Sequence, residues 1–228
     1  MDWLDLCGAP GSGKSTISYP IWQDKSVGWD GRLPPAYWKP FLDELTNLMV
    51  LVRDHDSFPA VVRMNDRSAK KMSTVERMVA PVDKPVFIQT GLVQRILGFG
   101  WRLVDLKRDP YLIARALWLM PVSVGVAFLE ASVEEITRRN KMRETVKETA
   151  HENRTHQVGF MLEPIRIAKA VLRERGIPVI EIDVEHQSID AARAQLLDFA
   201  TRPACDAATL GYCDQAPAIL SPPPWWRS

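Results

Sequence analysis

The eight residues from Gly8 to Ser15 constrain this chain more than any other feature of its sequence. They read GAPGSGKS and match the pattern G-x-x-x-x-G-K-[ST] at every fixed position. The alternating residues 2–7 predict a strand before this loop, and a helix is expected from about Gly13, as the pattern requires. Glycines let such a loop curl until its backbone amides surround an anion at the start of the helix. The loop is therefore predicted to bind phosphate groups.

Each residue type in the motif has a predicted role in binding a nucleoside triphosphate. Lys14 is expected to reach the β- and γ-phosphates, and the Ser15 hydroxyl is expected to bind Mg²⁺. ATP and Mg²⁺ are the predicted cofactors, held in a P-loop. The predicted nucleotide contacts are Gly8, Ala9, Pro10, Gly11, Ser12, Gly13, Lys14, Ser15 and Thr16.

Strands and helices are predicted to alternate through the rest of the chain. Further strands are expected at 26–29, 85–91, 124–131 and 178–183, and helices at 36–54, 92–99, 110–120, 157–175 and 188–200. This alternation predicts an α/β fold, with a parallel sheet covered by helices on both faces. Pro20 is expected to end the first helix, because proline lacks an amide hydrogen and clashes with the preceding turn. Ser132 and Glu135 have the spacing of a capping box, and Ser188 is a predicted N-cap.

Length and composition predict a single domain with a tail. The 228 residues are divided into a domain at 1–201 and a proline-rich tail at 202–228. The net charge of +1 predicts no overall attraction to nucleic acid or membranes. No apolar run approaches the roughly 20 residues that span a bilayer. Three cysteines without framework spacing predict reduced thiols, so a cytoplasmic protein is expected.

The order of these elements resembles the nucleoside- and nucleotide-kinase-like branch of P-loop proteins. The resemblance extends to about residue 200, and FLEASVEEITRRNKMR at 128–143 matches the strand and arginine-rich helix that precede the lid in that branch. It implies transfer of the γ-phosphoryl group of ATP to a hydroxyl. It also implies an acceptor insert at about 25–82 and a lid at about 138–156, whose arginines lie over the phosphates. The matching arginines are Arg138, Arg139, Arg143 and Arg154. Alternatively, they form solvated pairs with neighbouring glutamates on a helix face.

The sequence departs from this branch at the acid that steadies magnesium through water. Many relatives carry it where Gln89 and Thr90 stand here, so another acid is needed. Asp30 precedes Gly31 and Arg32, which suits a positioned carboxylate that accepts the proton of the substrate hydroxyl. The other candidate acids are Asp54, Asp56 and Asp66, and each of the four is alternatively a solvated loop residue.

A more specific resemblance is to the bacteriophage 5-hydroxymethyluracil DNA kinases. It implies that the acceptor is the hydroxymethyl group of a modified base in DNA, a step in the hypermodification that protects phage DNA from host restriction. Such a base would have to leave the helical stack. Two alternatives stay open. One is a kinase of a free nucleoside or nucleotide, and the other is an ATP-driven switch without an acceptor.

Overall fold

The computed structural model describes residues 3–23, 28–29, 50, 53, 86–88, 91–108, 111–119, 125–144 and 152–201. Five strands and six helices are assigned within these ranges. The strands are β1 Trp3–Cys7, β2 Gly28–Trp29, β3 Val86–Ile88, β4 Gly125–Glu130 and β5 Val179–Asp183. The helices are α1 Lys14–Gln23, α2 Leu92–Asp105, α3 Tyr111–Leu119, α4 Val133–Glu144, α5 Glu152–Glu174 and α6 Ile189–Thr201.

The five strands form one parallel sheet in the order β2-β3-β1-β4-β5. β1 lies in the centre, where Leu4 is in register with Phe87 on one side and with Gly125 on the other. Because the strands are parallel, the loops that follow them meet at one edge of the sheet, where ligands of such folds usually bind. The predicted α/β class is confirmed, and the loop after β1 lies at the centre of that edge.

Both faces of the sheet are buried, which explains the continuous apolar runs in its strands. Successive side chains of a strand point to opposite faces. On β4, Val126 and Phe128 pack into a core that α2, α3 and α5 complete, whereas Ala127 and Leu129 pack into a second core with α1 and α6. The helices therefore cover both faces, as the sequence predicts.

The prediction that Pro20 ends the first helix is wrong. α1 continues to Gln23, three residues past the proline. A proline inside a helix costs about 3 kcal/mol, since it removes one hydrogen bond and crowds the preceding turn. Tertiary packing overrides this local preference, because α1 lies against α6 and buries Ile17 in the core of that face.

The boundaries of α3 and α6 agree with the sequence to within one residue, α2 continues to Asp105 rather than ending at 99, and the start of α5 also differs from the prediction. This helix begins at Glu152 rather than at 157, contains Pro164, and ends before Gly176, whose φ is +71°. Residues 138–144 and 152–156 of the predicted lid are therefore helical, and 145–151 lie outside the described residues. At α6 the Ser188 hydroxyl accepts a hydrogen bond from the Ala191 amide at 3.1 Å, which confirms the predicted cap.

Much of the predicted insert and the whole tail lie outside the described residues. Within the insert, the described part includes β2, which confirms the predicted short edge strand, and β2 pairs with β3. Most of the helix predicted at 36–54 and all of the tail at 202–228 are not described. None of the described helices combines the length and apolar composition needed to cross a bilayer.

Candidate nucleotide-binding site

The loop between β1 and α1 is closed by three glycines. Gly8, Gly11 and Gly13 have φ values of +150°, +94° and +88°, which side-chain-bearing residues rarely adopt. A Cβ atom on Gly8 would lie 2.6 Å from Ser12 Oγ and 2.7 Å from the Leu129 carbonyl oxygen. Both backbone strain and lack of space therefore require glycine at Gly8. The loop has the tight curl that its sequence predicts.

Lys14 places its ammonium group within this loop. Its Nζ donates to the carbonyl oxygens of Gly8 at 2.7 Å and Ala9 at 2.9 Å, and lies 3.5 Å from Ser12 Oγ. Lys14 is also the first residue of α1, so the positive end of the helix dipole and its amide donors lie at the same place. A cation and a helix N-terminus at a glycine-rich curl are suited to binding a polyphosphate.

The residues at this loop fit a nucleotide and a divalent cation. Ser15 and Thr16 are exposed residues in the first turn of α1. Mg²⁺ prefers oxygen ligands, keeps several waters and usually takes only one or two ligands from the protein beside substrate phosphates. Among the described residues, no group of three or more His, Cys, Asp or Glu side chains could hold a metal by itself. The role of the Ser15 hydroxyl as a magnesium ligand beside a bound phosphate stays a prediction.

Asn140 on α4 closes the loop from the outside. It is only 2% exposed, and its Nδ2 donates to the Pro10 carbonyl oxygen at 3.0 Å. A Cβ atom on Gly11 would lie 2.5 Å from Asn140 Oδ1, so the amide fills the space that glycine leaves. Sequence reasoning missed Asn140, because one asparagine among arginines carries no signal of a contact 130 residues away.

Replacing Asn140 with alanine is expected to weaken ATP binding about tenfold. The substitution leaves the Pro10 carbonyl oxygen without this donor and opens a gap beside Gly11, at a cost of about 1–3 kcal/mol. Calorimetric titration with ATP and Mg²⁺ measures the effect, and Lys141→Ala, at the next and exposed position, is the matched control. Equal affinity for both variants would show that Asn140 does not shape the loop.

Of the predicted lid arginines, the structure brings Arg139 to the loop. Its Nη1 would lie 3.9 Å from a Cβ atom on Gly13. The guanidinium is fixed by Nε donating to Glu135 at 2.7 Å and Nη2 donating to the Val184 carbonyl oxygen at 2.6 Å. Arg139 therefore borders the place where phosphates are expected, in an orientation set by two partners.

Arg138 instead faces solvent, where it makes the helix-face pair left open by the sequence. Its side chain is 60% exposed and donates two hydrogen bonds to Glu135, at 2.6 and 2.7 Å. Hydrogen bonds from Arg138 and Arg139 lower the pKa of Glu135 to about 2. Arg143 lies in α4 and Arg154 in α5, but their side chains are outside the described residues. The roles predicted for Arg138, Arg143 and Arg154 stay predictions.

The predicted capping box at α4 is half correct. The Glu135 amide donates to Ser132 Oγ at 3.1 Å, as expected for an N-cap. The Ser132 amide, however, donates to Glu185 in the turn after β5, at 2.7 Å, and not to Glu135. The side chain of Glu135 instead accepts hydrogen bonds from Arg138 and Arg139. Glu185 also accepts from the Ser132 hydroxyl at 3.0 Å, and these hydrogen bonds lower its pKa.

Asp5 is a buried acid that the sequence does not single out. It lies on β1, three residues before the loop, and is fully buried. Its Oδ2 accepts a hydrogen bond from the Val93 amide at 3.2 Å. Burial raises the pKa of Asp5 to about 7, opposed by the Val93 hydrogen bond and the charge of Arg95. In an alternating strand a polar residue is expected to face solvent, but here both faces are covered.

The candidate acids of the insert lie outside the described residues, and so do the two residues that stand where many relatives carry the magnesium-steadying acid. These are Asp30, Asp54, Asp56, Asp66, Gln89 and Thr90. The general base and the acidic partner of magnesium therefore stay predictions.

Comparisons with known proteins relate this chain to others by fold. No family model matches the sequence, and no curated protein matches it. The structure is similar to that of deoxyadenosine kinase from M. mycoides with bound dATP, with a TM-score of 0.55, 14% identity, and coverage of 86% of this chain and 97% of that one. It is also similar to thymidylate kinase from Candida albicans, with a TM-score of 0.51, 15% identity, and coverage of 86% and 89%. At these identities the likeness shows a shared fold.

Proposed function

We propose that this chain is a kinase that binds ATP with Mg²⁺ at Gly8–Ser15 and transfers the γ-phosphoryl group to a hydroxyl of a nucleoside or nucleotide. The observation that carries the proposal is the position of Lys14. Its ammonium lies against two carbonyl oxygens of a glycine-closed loop, at the N-terminus of α1. This combination binds polyphosphate and offsets the charge that spreads over the γ-phosphoryl oxygens during transfer.

In the proposed reaction, the acceptor oxygen forms a bond to the γ-phosphorus while the bond to the bridging oxygen of ADP breaks. Lys14 and the loop amides bind the phosphate oxygens and stabilise the leaving group. Among the arginines whose side chains the structure describes, Arg139 lies beside Gly13 and is proposed to stabilise charge on the transferred group. Magnesium held at Ser15 would neutralise phosphate charge. Asp30 is the proposed base that takes the hydroxyl proton.

Two proposals for the acceptor differ in its size. The names of the two fold neighbours, deoxyadenosine kinase and thymidylate kinase, describe enzymes of free nucleosides or nucleotides, and this supports a free acceptor. The second proposal is the hydroxymethyl group of 5-hydroxymethyluracil in phage DNA, which only the overall resemblance of the sequence to the bacteriophage 5-hydroxymethyluracil DNA kinases supports. The free acceptor is the preferred proposal.

A labelling experiment tests both acceptors at once. The protein is incubated with γ-³²P-ATP and Mg²⁺, together with free deoxynucleosides, deoxynucleotides, or duplex and single-stranded DNA that contains 5-hydroxymethyluracil. We expect label on one or more free nucleosides or nucleotides and none on DNA. Label on the modified DNA, with unmodified DNA as the matched control, would favour the second proposal. Release of inorganic phosphate with no labelled acceptor would instead favour the ATP-driven switch.

A further inference from the structure

The N-terminus of α2 is capped by a residue from another strand. Its N-cap residue is Gly91, which has no side chain to accept from the first amides of the helix. Most helices use Ser, Thr, Asp or Asn at this position, and that side chain accepts from the second or third helical amide. Here Asp5 of β1 accepts from the amide of Val93, the second residue of α2. A carboxylate from β1 thus does what the missing side chain would do.

Asp5 and Gly91 fit each other closely enough to form a matched pair. A Cβ atom on Gly91 would lie 1.5 Å from Asp5 Oδ1 and 2.3 Å from its carboxyl carbon. The φ of Gly91 is −76°, which any residue adopts, so glycine is required here only by lack of space. The carboxyl group of Asp5 occupies the space in which the side chain of a non-glycine N-cap residue would begin. It also accepts the hydrogen bond that such a side chain would accept.

The residue after Val93 connects this cap to the P-loop. Gln94 Oε1 accepts a hydrogen bond from the Gly8 amide at 2.9 Å. The carbonyl oxygen of the same Gly8 accepts from Lys14 Nζ at 2.7 Å. Gly8 is therefore held on one side by α2 and on the other by the lysine that is proposed to contact the phosphates. A shift of the first turn of α2 would move Gly8, and with it the site of Lys14.

We propose that Asp5 is a positioning residue for nucleotide binding, which sets the first turn of α2 so that Gln94 holds Gly8 and thereby Lys14 in place. The inference rests on the proposed function for the role of the loop, but the cap itself does not. Asp5 touches neither nucleotide nor acceptor, and it acts through Val93, Gln94 and Gly8.

A double-mutant cycle between Asp5 and Gly91 tests the matched pair. Calorimetry with ATP and Mg²⁺ is expected to show about tenfold weaker binding for Asp5→Ala and for Gly91→Ala, the change produced by losing one well-placed hydrogen bond. The double variant should bind about as weakly as either single one, because the alanine side chain enters the space that the carboxylate left. Additive losses would overturn the pairing.

Two further variants separate positioning from general destabilisation. Asp5→Asn keeps an oxygen that can accept from Val93 and should bind ATP within about twofold of the original protein, since the hydrogen bond is retained. Gln94→Ala leaves the cap intact and should reproduce the roughly tenfold loss, because only the Gly8 contact is removed. If Gln94→Ala binds ATP normally, the proposed route from the cap to the loop is wrong.

Amide hydrogen exchange, measured by NMR without nucleotide, keeps this inference separate from the proposed function. Asp5→Ala should speed exchange of the Val93 and Gly8 amides, whereas Gln94→Ala should speed that of Gly8 alone. Unchanged exchange in Asp5→Ala would overturn the inference even if ATP binds. If the original protein gives no heat with ATP and Mg²⁺, the proposed function fails, and the exchange data still decide whether Asp5 holds α2 and Gly8.

Discussion

Replacing Lys14 with alanine is expected to lower the rate of phosphoryl transfer at least about a thousandfold, the scale at which charged or donor groups act on a developing transition state. The ammonium is the one side-chain cation that the structure places within the loop, as far as its described residues extend. Its loss removes the lysine charge that is proposed to offset the β- and γ-phosphates during transfer, whereas the glycine curl and α1 remain. The effect is measured as single-turnover transfer of label from γ-³²P-ATP to the acceptor that the labelling experiment identifies.

Two comparisons make the Lys14 result interpretable. Arg115→Ala removes a positive charge from an exposed position on α3, and its transfer rate should match that of the original protein. Lys14→Arg keeps the charge but not the compact ammonium geometry, so a large loss is expected there too. Thermal unfolding of Lys14→Ala should stay close to that of the original protein. Substantial transfer by a folded Lys14→Ala protein would refute the role of Lys14.

The second large effect concerns pH and the buried carboxyl of Asp5. Its pKa rises from 3.8 to about 7 on folding, mainly through burial. An acid with a raised pKa binds its proton more tightly in the folded state, so the contribution of Asp5 to folding stability is fully present below about pH 4 and is lost as the pH rises through about 7. Three pKa units correspond to about 4 kcal/mol of unfolding free energy, at about 1.4 kcal/mol per unit.

Comparison with Asp5→Asn isolates this effect from other titrations. Arg95 on α2 and the Cys7 thiol on β1 interact electrostatically with Asp5, and burial keeps the thiol neutral by raising its pKa. The asparagine variant keeps these groups but cannot ionise. Urea unfolding should therefore give nearly equal stabilities at about pH 3, below the unfolded pKa of Asp5, and at pH 8 the variant should be more stable by up to about 4 kcal/mol. Parallel stability profiles across this range would show that Asp5 does not titrate as argued.

The features that the sequence predicts well are those coded within a few residues. The segment Gly8–Ser15 contains the glycines that curl the loop, the lysine within it and the first residues of α1. Ser188 caps α6 by accepting from an amide three residues further along. The continuous apolar residues of β4 likewise predict a strand buried on both faces, which the structure confirms. Local chemistry therefore predicts the fold class and the centre of the candidate site.

The features that the sequence does not predict depend on contacts between distant segments. Gln94 reaches Gly8 across 86 residues, Asn140 reaches Pro10 across 130, and Glu185 replaces half of the capping box across 53. No local pattern shows that a polar side chain has such a partner. At Pro20 the local signal predicts the end of a helix, but α1 continues because it packs against the distant helix α6.

The strand order also determines when the strands can pair during synthesis on the ribosome. β1 is made first among the strands, yet its two neighbours in the sheet, β3 and β4, lie about 80 and about 120 residues further along. Pairings so distant in sequence form slowly and leave apolar segments exposed until they close. The core around Leu4 and Leu6 is complete only when β4 and α6 have also been made, so we expect the nascent chain to need protection from aggregation until then.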